Sequence, residues 1–118
     1  MDDRSALMKA LEIPYRKSTD GLHLTLNTVQ GAKQLTMHTS GDRITLYALL
    51  KQEADAQAAA IKCNACNRML GDGCLVAAQD GRVYLKLTAY LMDALYAQEG
   101  LERALGRMKT LLEQHSSF

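Results

Sequence analysis

The residues with the clearest chemical potential are two cysteines in a Cys-x-x-Cys spacing. Cys63 and Cys66 stand near the C-terminal end of a segment rich in helix-forming residues. That end of a helix raises a thiol pKa, whereas redox Cys-x-x-Cys pairs open a helix and gain a lower pKa there. Zinc needs four ligands, and Cys74 supplies at most a third. We therefore interpret Cys63 and Cys66 as small apolar packing residues, with a metal or redox role that includes Cys74 as the alternative.

Two histidines are the other candidate ligands. His23 and His38 fall on the polar faces of two predicted strands and could pair across a sheet if those strands are neighbours. No cysteine or carboxylate motif accompanies them, so we interpret them as surface side chains. The phosphate and nucleophile motifs GxxxxGK[ST], GxGxxG and GxSxG do not occur in the sequence. The sequence therefore predicts no catalytic residue, no metal and no cofactor.

The elements that position these residues follow from apolar periodicity. Residues 4–12 predict a short helix that ends at Pro14. Three strands with alternating apolar residues follow, centred on residues 22–26, 35–37 and 44–46. Their short connections predict an antiparallel meander.

The second half begins with a predicted helix from about residue 52 to residue 70. A short apolar strand at 74–78, a hairpin turn with Asp-Gly and an alternating strand at 83–90 come next. A closing helix from about residue 98 to residue 115 carries an apolar stripe. The order α-β-β-β-α-β-β-α predicts an α+β fold in which an antiparallel sheet packs against helices, as a single domain over residues 1–118.

Composition narrows the functional classes. The chain has 118 residues, 47% of them apolar, a formal net charge of +1 and a pI of about 7.7. This balance gives no electrostatic case for nucleic acid or for an anionic membrane. No apolar run approaches the length of a bilayer span, and the start of the chain has no basic, apolar leader. We expect a cytoplasmic protein with no membrane insertion, and three cysteines fit a reducing compartment.

Tyr84 and Tyr90 lie on the polar face of the last predicted strand, with Lys86 and Thr88 between them. The simpler interpretation is a solvated strand face. The alternative is an adhesive strip for a protein partner, because tyrosine is enriched at interfaces.

Three stretches resemble a known family. Residues 59–67 (AAIKCNACN) look like its second helix, residues 74–87 (CLVAAQDGRVYLKL) look like the hairpin that follows, and residues 101–112 look like its closing helix. The opening helix that stops at a proline resembles residues 7–14. Together with the element order, these stretches resemble the class I type III secretion chaperones, the Tir-chaperone and SycE-like group. YbjN-like proteins, which are not secretion chaperones, resemble the same pattern.

The resemblance implies a function without catalysis. A chaperone of this group binds the N-terminal region of a secreted effector or gatekeeper protein and keeps it stable and export-competent. The alternative is a YbjN-like regulatory or stress-associated protein-binding module. The resemblance also implies a homodimer, with a heterodimer with a second small chaperone as the other assembly.

Site residues follow from the same comparison. The small-residue helix and the strand after it are the predicted dimer interface, comprising Ala58, Ile61, Ala65, Leu75, Val76 and Ala77. The first helix, the first alternating strand and the tyrosine strip are the predicted partner-binding residues, comprising Leu7, Leu11, Leu22, Leu24, Leu26, Tyr84 and Tyr90.

Overall fold

A computed structural model of the chain describes residues 12–19, 21–41, 43–68, 74–77, 80–90 and 97–114. The strands of this part are β1 (Tyr15–Ser18), β2 (Gly21–Thr28), β3 (Gly31–Ser40), β4 (Arg43–Gln52), β5 (Cys74–Ala77) and β6 (Arg82–Tyr90). Two helices accompany them, α1 (Ala56–Asn67) and α2 (Ala97–Gln114). Within the described residues the strands form one antiparallel sheet in the order β1-β2-β3-β4-β6-β5. The predicted α+β class and the predicted meander of β2, β3 and β4 are confirmed.

The strands bury every second side chain, which gives the sheet one apolar face. Because antiparallel partners share a face, the register from Leu24 to Leu35 to Ala48 to Leu85 carries this face across four strands. The helices cover it. The largest fully buried side chains are Leu24, Leu35, Met37, Ile44, Leu46, Val83, Leu85, Leu101, Met108 and Leu111.

Helix α2 supplies most of the cover. Its predicted apolar stripe is buried as expected, and Ala104 and Leu111 widen it to a full face. The stripe comprises Leu101, Leu105, Met108 and Leu112. The helix packs against β2 and β6. Near its C-terminal end the Glu113 carboxylate accepts a hydrogen bond from the Val29 N–H at 2.9 Å, which ties the helix to the β2–β3 turn.

Helix α1 begins later than the sequence predicts. Gln52 still belongs to β4, because an irregularity between Leu49 and Lys51 lets the strand continue and pair Gln52 with Arg82. Asp55 then caps the helix, and its carboxylate accepts hydrogen bonds from two backbone N–H groups at 3.0 and 3.2 Å. The strand extension and the cap together move the start from residue 52 to residue 56.

The N-terminal region adds a strand that the sequence analysis missed. Tyr15–Ser18 pairs with β2 as β1, at one edge of the sheet. The predicted helix over residues 4–12 lies outside the described residues except for Glu12, which is in a turn with φ of 58°.

The turn before β6 requires glycine. Gly81 has φ of 85°, and its carbonyl accepts the Glu53 N–H at 2.8 Å. A Cβ at this position would collide with the Glu53 carbonyl oxygen. This close approach fixes the hairpin to the segment that leads into α1.

Candidate functional site

The predicted partner-binding leucines divide between the core and a margin. Leu22 and Leu24 are 7% and 1% exposed and belong to the core beneath α2, so a partner would reach them only if that core opened. Leu26 is half-buried at the edge of the same core. Leu7 and Leu11 lie outside the described residues.

Leu26 lines an apolar cleft between β2 and α2, here called the Leu26 cleft. Its lining residues are Ile13, Leu26, Glu102, Leu105, Gly106 and Lys109, and its volume is about 170 Å³. Gly106 keeps the cleft open because it has no side chain, and a Cβ added at this position would extend into unoccupied space. Small-molecule sites usually measure roughly 300 to 1,000 Å³. The Leu26 cleft therefore suits one or two apolar side chains of a protein better than a substrate.

Helix α1 carries apolar residues both on the side that faces the sheet and on the opposite, exposed side. Only Ala59 and Cys63 are buried against the sheet. On the opposite side, Ala58, Ile61 and Ala65 are exposed, and Ile61 is 64% exposed. They follow the spacing i, i+3, i+7 and so share one stripe. This stripe, here called the α1 stripe, is apolar where a surface helix usually carries polar residues.

The other predicted dimer residues do not join the α1 stripe. Leu75 is 3% exposed and packs in the core. Val76 is 38% exposed and alternates with Leu75, which places it on the opposite face of the sheet. Ala77 belongs to β5, and its side chain lies outside the described part of the chain.

Asn67 closes part of the sheet edge at β5. Its side-chain amide donates from Nδ2 to the Leu75 carbonyl oxygen at 2.9 Å and accepts the Leu75 N–H at Oδ1, at 2.7 Å. The amide thus satisfies both backbone groups of Leu75 that a further strand would otherwise use. The sequence does not predict this role, because a single asparagine at a helix end carries no distinguishing signal.

The sheet face opposite the core, here called the outer face, is polar and aromatic. The register aligns Arg16, His23, Thr36, Tyr47 and Lys86 in one row across five strands. Tyr84 belongs to the same face and is half-buried, and Tyr90 is 63% exposed at its end. The structure therefore places both predicted tyrosines on this face, away from the Leu26 cleft.

The two histidines lie on the outer face but do not bind each other. His23 Nε2 is 2.7 Å from the Ser18 hydroxyl oxygen, and Nδ1 is 3.4 Å from the Thr36 hydroxyl oxygen. The His38 ring meets the Tyr47 ring edge-on at 5.6 Å. Hydroxyl groups thus lie beside both ring nitrogens of His23, whereas the described contact of His38 is with an aromatic ring.

The thiols fit the packing interpretation. Cys63 is 2% exposed, and burial raises the pKa of its thiol, with Cys66 adding to the rise. Cys66 is half-buried, and both thiols are free. The Cys74 side chain lies outside the described part of the chain. Among the described residues, no group of three or more His, Cys, Asp or Glu side chains could hold a metal ion.

Neither of the two described helices is long and apolar enough to cross a membrane. No protein-family profile matches the sequence, and no curated protein sequence is similar to it.

Similarity appears at the level of structure. A chain from the HopA1–SchA chaperone–effector complex superposes with a TM-score of 0.60 at 14% identity, covering 96% of this chain and 89% of that one. YbjN from E. coli, a candidate transcription regulator, superposes with a TM-score of 0.51 at 13% identity, covering 94% of this chain and 89% of that one. At these identities the chain shares the fold of both proteins, which is the fold that the sequence resemblance implied.

Proposed function

We propose that this chain is a protein-binding module of the type III secretion chaperone kind. In this role it binds the N-terminal region of a secreted effector or gatekeeper protein and keeps that region stable and export-competent. The observation that carries the proposal is the fold likeness to a chain of a chaperone–effector complex, which extends over 96% of this chain. We place the module in the cytoplasm, with no cofactor, no nucleic acid and no membrane insertion.

The chemistry of the described side chains supports binding over catalysis. The Cys63 thiol is buried and has a raised pKa, so little thiolate forms near neutral pH. The His23 ring is held between two hydroxyl groups. In contrast, the Leu26 cleft and the α1 stripe are apolar and exposed, which is typical of surfaces that another protein covers.

We assign the α1 stripe to a second copy of the chain. Ala58 and Ala65 are small, so two such helices can approach closely with Ile61 of each near the two-fold axis. A two-fold contact also repeats every interaction, which suits a short helix with only one large apolar side chain. A heterodimer with a second small chaperone would use the same stripe. Val76 and Ala77 remain candidates for a wider interface around the edge strand.

The Leu26 cleft is the proposed groove for the secreted partner. An extended segment wraps a surface by inserting alternate side chains into such grooves. In this arrangement Ile13 and Leu26 contact the partner, and Glu102 and Lys109 flank it. Leu105, which is 5% exposed, backs the cleft from the core. Leu7 and Leu11 remain predicted contributors from the preceding segment. Leu22 and Leu24 support the groove from the core rather than contacting the partner.

The dimer has a direct test. We expect Ile61→Gln to weaken dimerisation about 100-fold, because each of two symmetric positions then buries an amide at a cost of roughly 1.4 kcal/mol. Light scattering over a dilution series measures the change. Val29→Gln is the matched control, since Val29 is 80% exposed in the turn between β2 and β3, whereas α1 packs against β5 and β6. A wild-type chain that stays monomeric at all concentrations would refute this assignment.

The function itself is tested by capture from native host lysate, followed by sizing of the complex. We expect one prominent secreted protein that is no longer captured when its N-terminal region is removed. The alternative is a YbjN-like regulatory or stress-associated protein-binding module, which the second structural likeness favours. That alternative predicts a captured protein that is not secreted. Capture that survives removal of the N-terminal region would also contradict the chaperone function.

A further inference from the structure

In the part of the chain that the structure describes, the sheet strands contain no acidic residue. None of the strands β1 to β6 contains an Asp or a Glu. The chain has 13 acidic and 14 basic residues in total, so its near-neutral charge conceals this separation. The basic residues of the strands are Arg16, Lys17, Lys33, Arg43, Lys51, Arg82 and Lys86.

Most of this charge lies on the outer face. Strand alternation places Arg16, Arg43, Arg82 and Lys86 there, opposite the buried side chains. Asp80 in the adjacent turn compensates Arg82, with its Oδ2 2.6 Å from the guanidinium. Within the described part of the chain, no carboxylate forms an ion pair with Arg16, Arg43 or Lys86. Among the described residues the outer face is therefore basic, and Arg16, Arg43 and Lys86 are the three cations there without a carboxylate partner.

The centre of the outer face is a shallow cavity. Its volume is about 310 Å³, and its lining residues are His23, Thr36, His38, Tyr47 and Tyr84. The Lys86 ammonium lies over the Tyr47 ring, 6.0 Å from the ring centroid. The His38 ring is nearly perpendicular to the Tyr47 ring, at 83°. Hydroxyl-bearing and imidazole side chains thus line the cavity, and a cation lies against one of its aromatic rings.

We propose that the outer face docks an extended acidic segment of a protein partner. The inference rests on the proposed function in that the partner is a protein, and it names the chemistry of the segment. Carboxylates on the segment supply the charge that the sheet lacks, and Tyr47 and Tyr84 contact the chain between them. Tyrosine and arginine together are typical of protein interfaces.

A single-stranded nucleic acid fits this face less well. Bases bind sheets by stacking on open aromatic rings. Here Lys86 covers one side of the Tyr47 ring and His38 meets its edge. Domains that bind nucleic acid are also usually much more basic than a pI of about 7.7.

The row of aligned residues sets the spacing of the ligand. Arg16 and Lys86 stand at its ends, separated by four strand spacings or about 19 Å. An extended segment that crosses the strands repeats its side chains on one side about every 6.7 Å, so residues i and i+6 span about 20 Å. Two carboxylates six residues apart therefore match the two cations.

The test uses the full chain and an N-acetylated, C-amidated nonapeptide with Glu at positions 2 and 8 and uncharged residues elsewhere. We expect the backbone NMR signals of residues 16, 23, 36, 47 and 86 to shift on titration. The same peptide with Gln at both positions should bind the wild-type chain at least about tenfold more weakly than the Glu peptide does. The Glu peptide should lose a similar factor in affinity for the double variant Arg16→Glu/Lys86→Glu. Arg103→Glu, an exposed change on α2, is the matched control and should bind normally.

An absence of peptide binding, shifts that fall on the Leu26 cleft, or equal binding of the Glu and Gln peptides would each overturn the proposal. Preferential binding of single-stranded oligonucleotide at the same residues would also overturn it in favour of nucleic acid. The peptide titration needs no captured partner, so it can succeed or fail separately from the lysate experiment. A captured secreted protein that binds the double variant normally would refute the outer face and leave the chaperone function standing.

Discussion

The hydrogen bonds of Asn67 make a quantitative prediction about the sheet edge. Asn67→Ala removes two hydrogen bonds and leaves the N–H and C=O of Leu75 without partners, on a residue that is 3% exposed. Each lost bond costs roughly 1 kcal/mol, and the poor access of water to Leu75 adds to this. We expect a loss of about 2 to 3 kcal/mol in the free energy of unfolding. For a domain of this size, the melting temperature should fall by about 8 °C or more.

Urea denaturation followed by circular dichroism, at one fixed protein concentration, measures this loss. Asn64→Ala is the matched control, because Asn64 is exposed on the same helix and alanine there should change stability by no more than about 0.5 kcal/mol. Asn67→Asp should fall between the two, because the carboxylate keeps the acceptor for the Leu75 N–H but provides no donor for its carbonyl. Hydrogen exchange at the Leu75 amide should accelerate in Asn67→Ala. Equal stability of the Asn67→Ala and Asn64→Ala variants would refute the reasoning.

Three further perturbations test other contacts of the fold. Gly81→Ala should destabilise the fold by about 3 kcal/mol or more, because it adds a steric clash with Glu53 to the strain of a positive φ. Gly31→Ala also places alanine at a positive φ, but its Cβ would meet no neighbouring atom, so a thermal melt should show a loss of only about 1 kcal/mol in the free energy of unfolding. Similar losses in the two variants would contradict the close approach of Gly81 to Glu53. The hydrogen bond from Lys51 lowers the pKa of Glu53 in the folded state. The Glu53 carboxylate therefore stabilises the fold at a pH above its pKa in the unfolded chain, and this stabilisation is lost as the pH falls through its pKa in the folded protein. Glu53→Gln should therefore lose less stability than the wild type between about pH 5 and pH 3, and parallel pH profiles would count against the ion pair. Iodoacetamide at pH 8 should modify Cys63 more slowly than it modifies free cysteine in solution, because burial raises the pKa of the Cys63 thiol. Mass-spectrometric fragmentation of the peptide spanning residues 63–68 shows which cysteine carries the label. Rapid modification of Cys63 would disprove its burial.

Apolar periodicity predicted most of the sheet because burial on one face leaves a mark at every second residue. Strands β2, β3, β4 and β6 were found in this way, although β4 continues to Gln52, where the sequence predicted the start of a helix. β1 was missed because Tyr15–Ser18 is a short edge strand with three of its four residues exposed. Such a strand forms by pairing with its neighbour, and it needs no apolar alternation of its own.

Periodicity could not say what covers the apolar face. Leu22 and Leu24 show the alternation of a half-buried strand whether their cover is a partner or the chain's own helix. The structure shows that the cover is internal, since both belong to the core with α2. The outer face was equally hard to assign, because its row of residues comes from five different strands and depends on their register. The absence of carboxylates from the strands could be read from the sequence once the strand limits were known.

The pairing of β4 with β6 bears on how the chain is made. These strands lie side by side at the centre of the sheet, yet the whole of α1 and β5 separates them in sequence. During synthesis the meander from β1 to β4 can form first, which leaves β4 as a temporary edge until β6 leaves the ribosome. The segment Ile44–Leu50 is apolar enough to pair with other nascent chains during that interval. Arg43 and Lys51 stand at its two ends, where charged gatekeepers slow such aggregation. Replacing both with neutral residues should therefore lower the yield of folded protein in cells more than it lowers the stability of the purified chain.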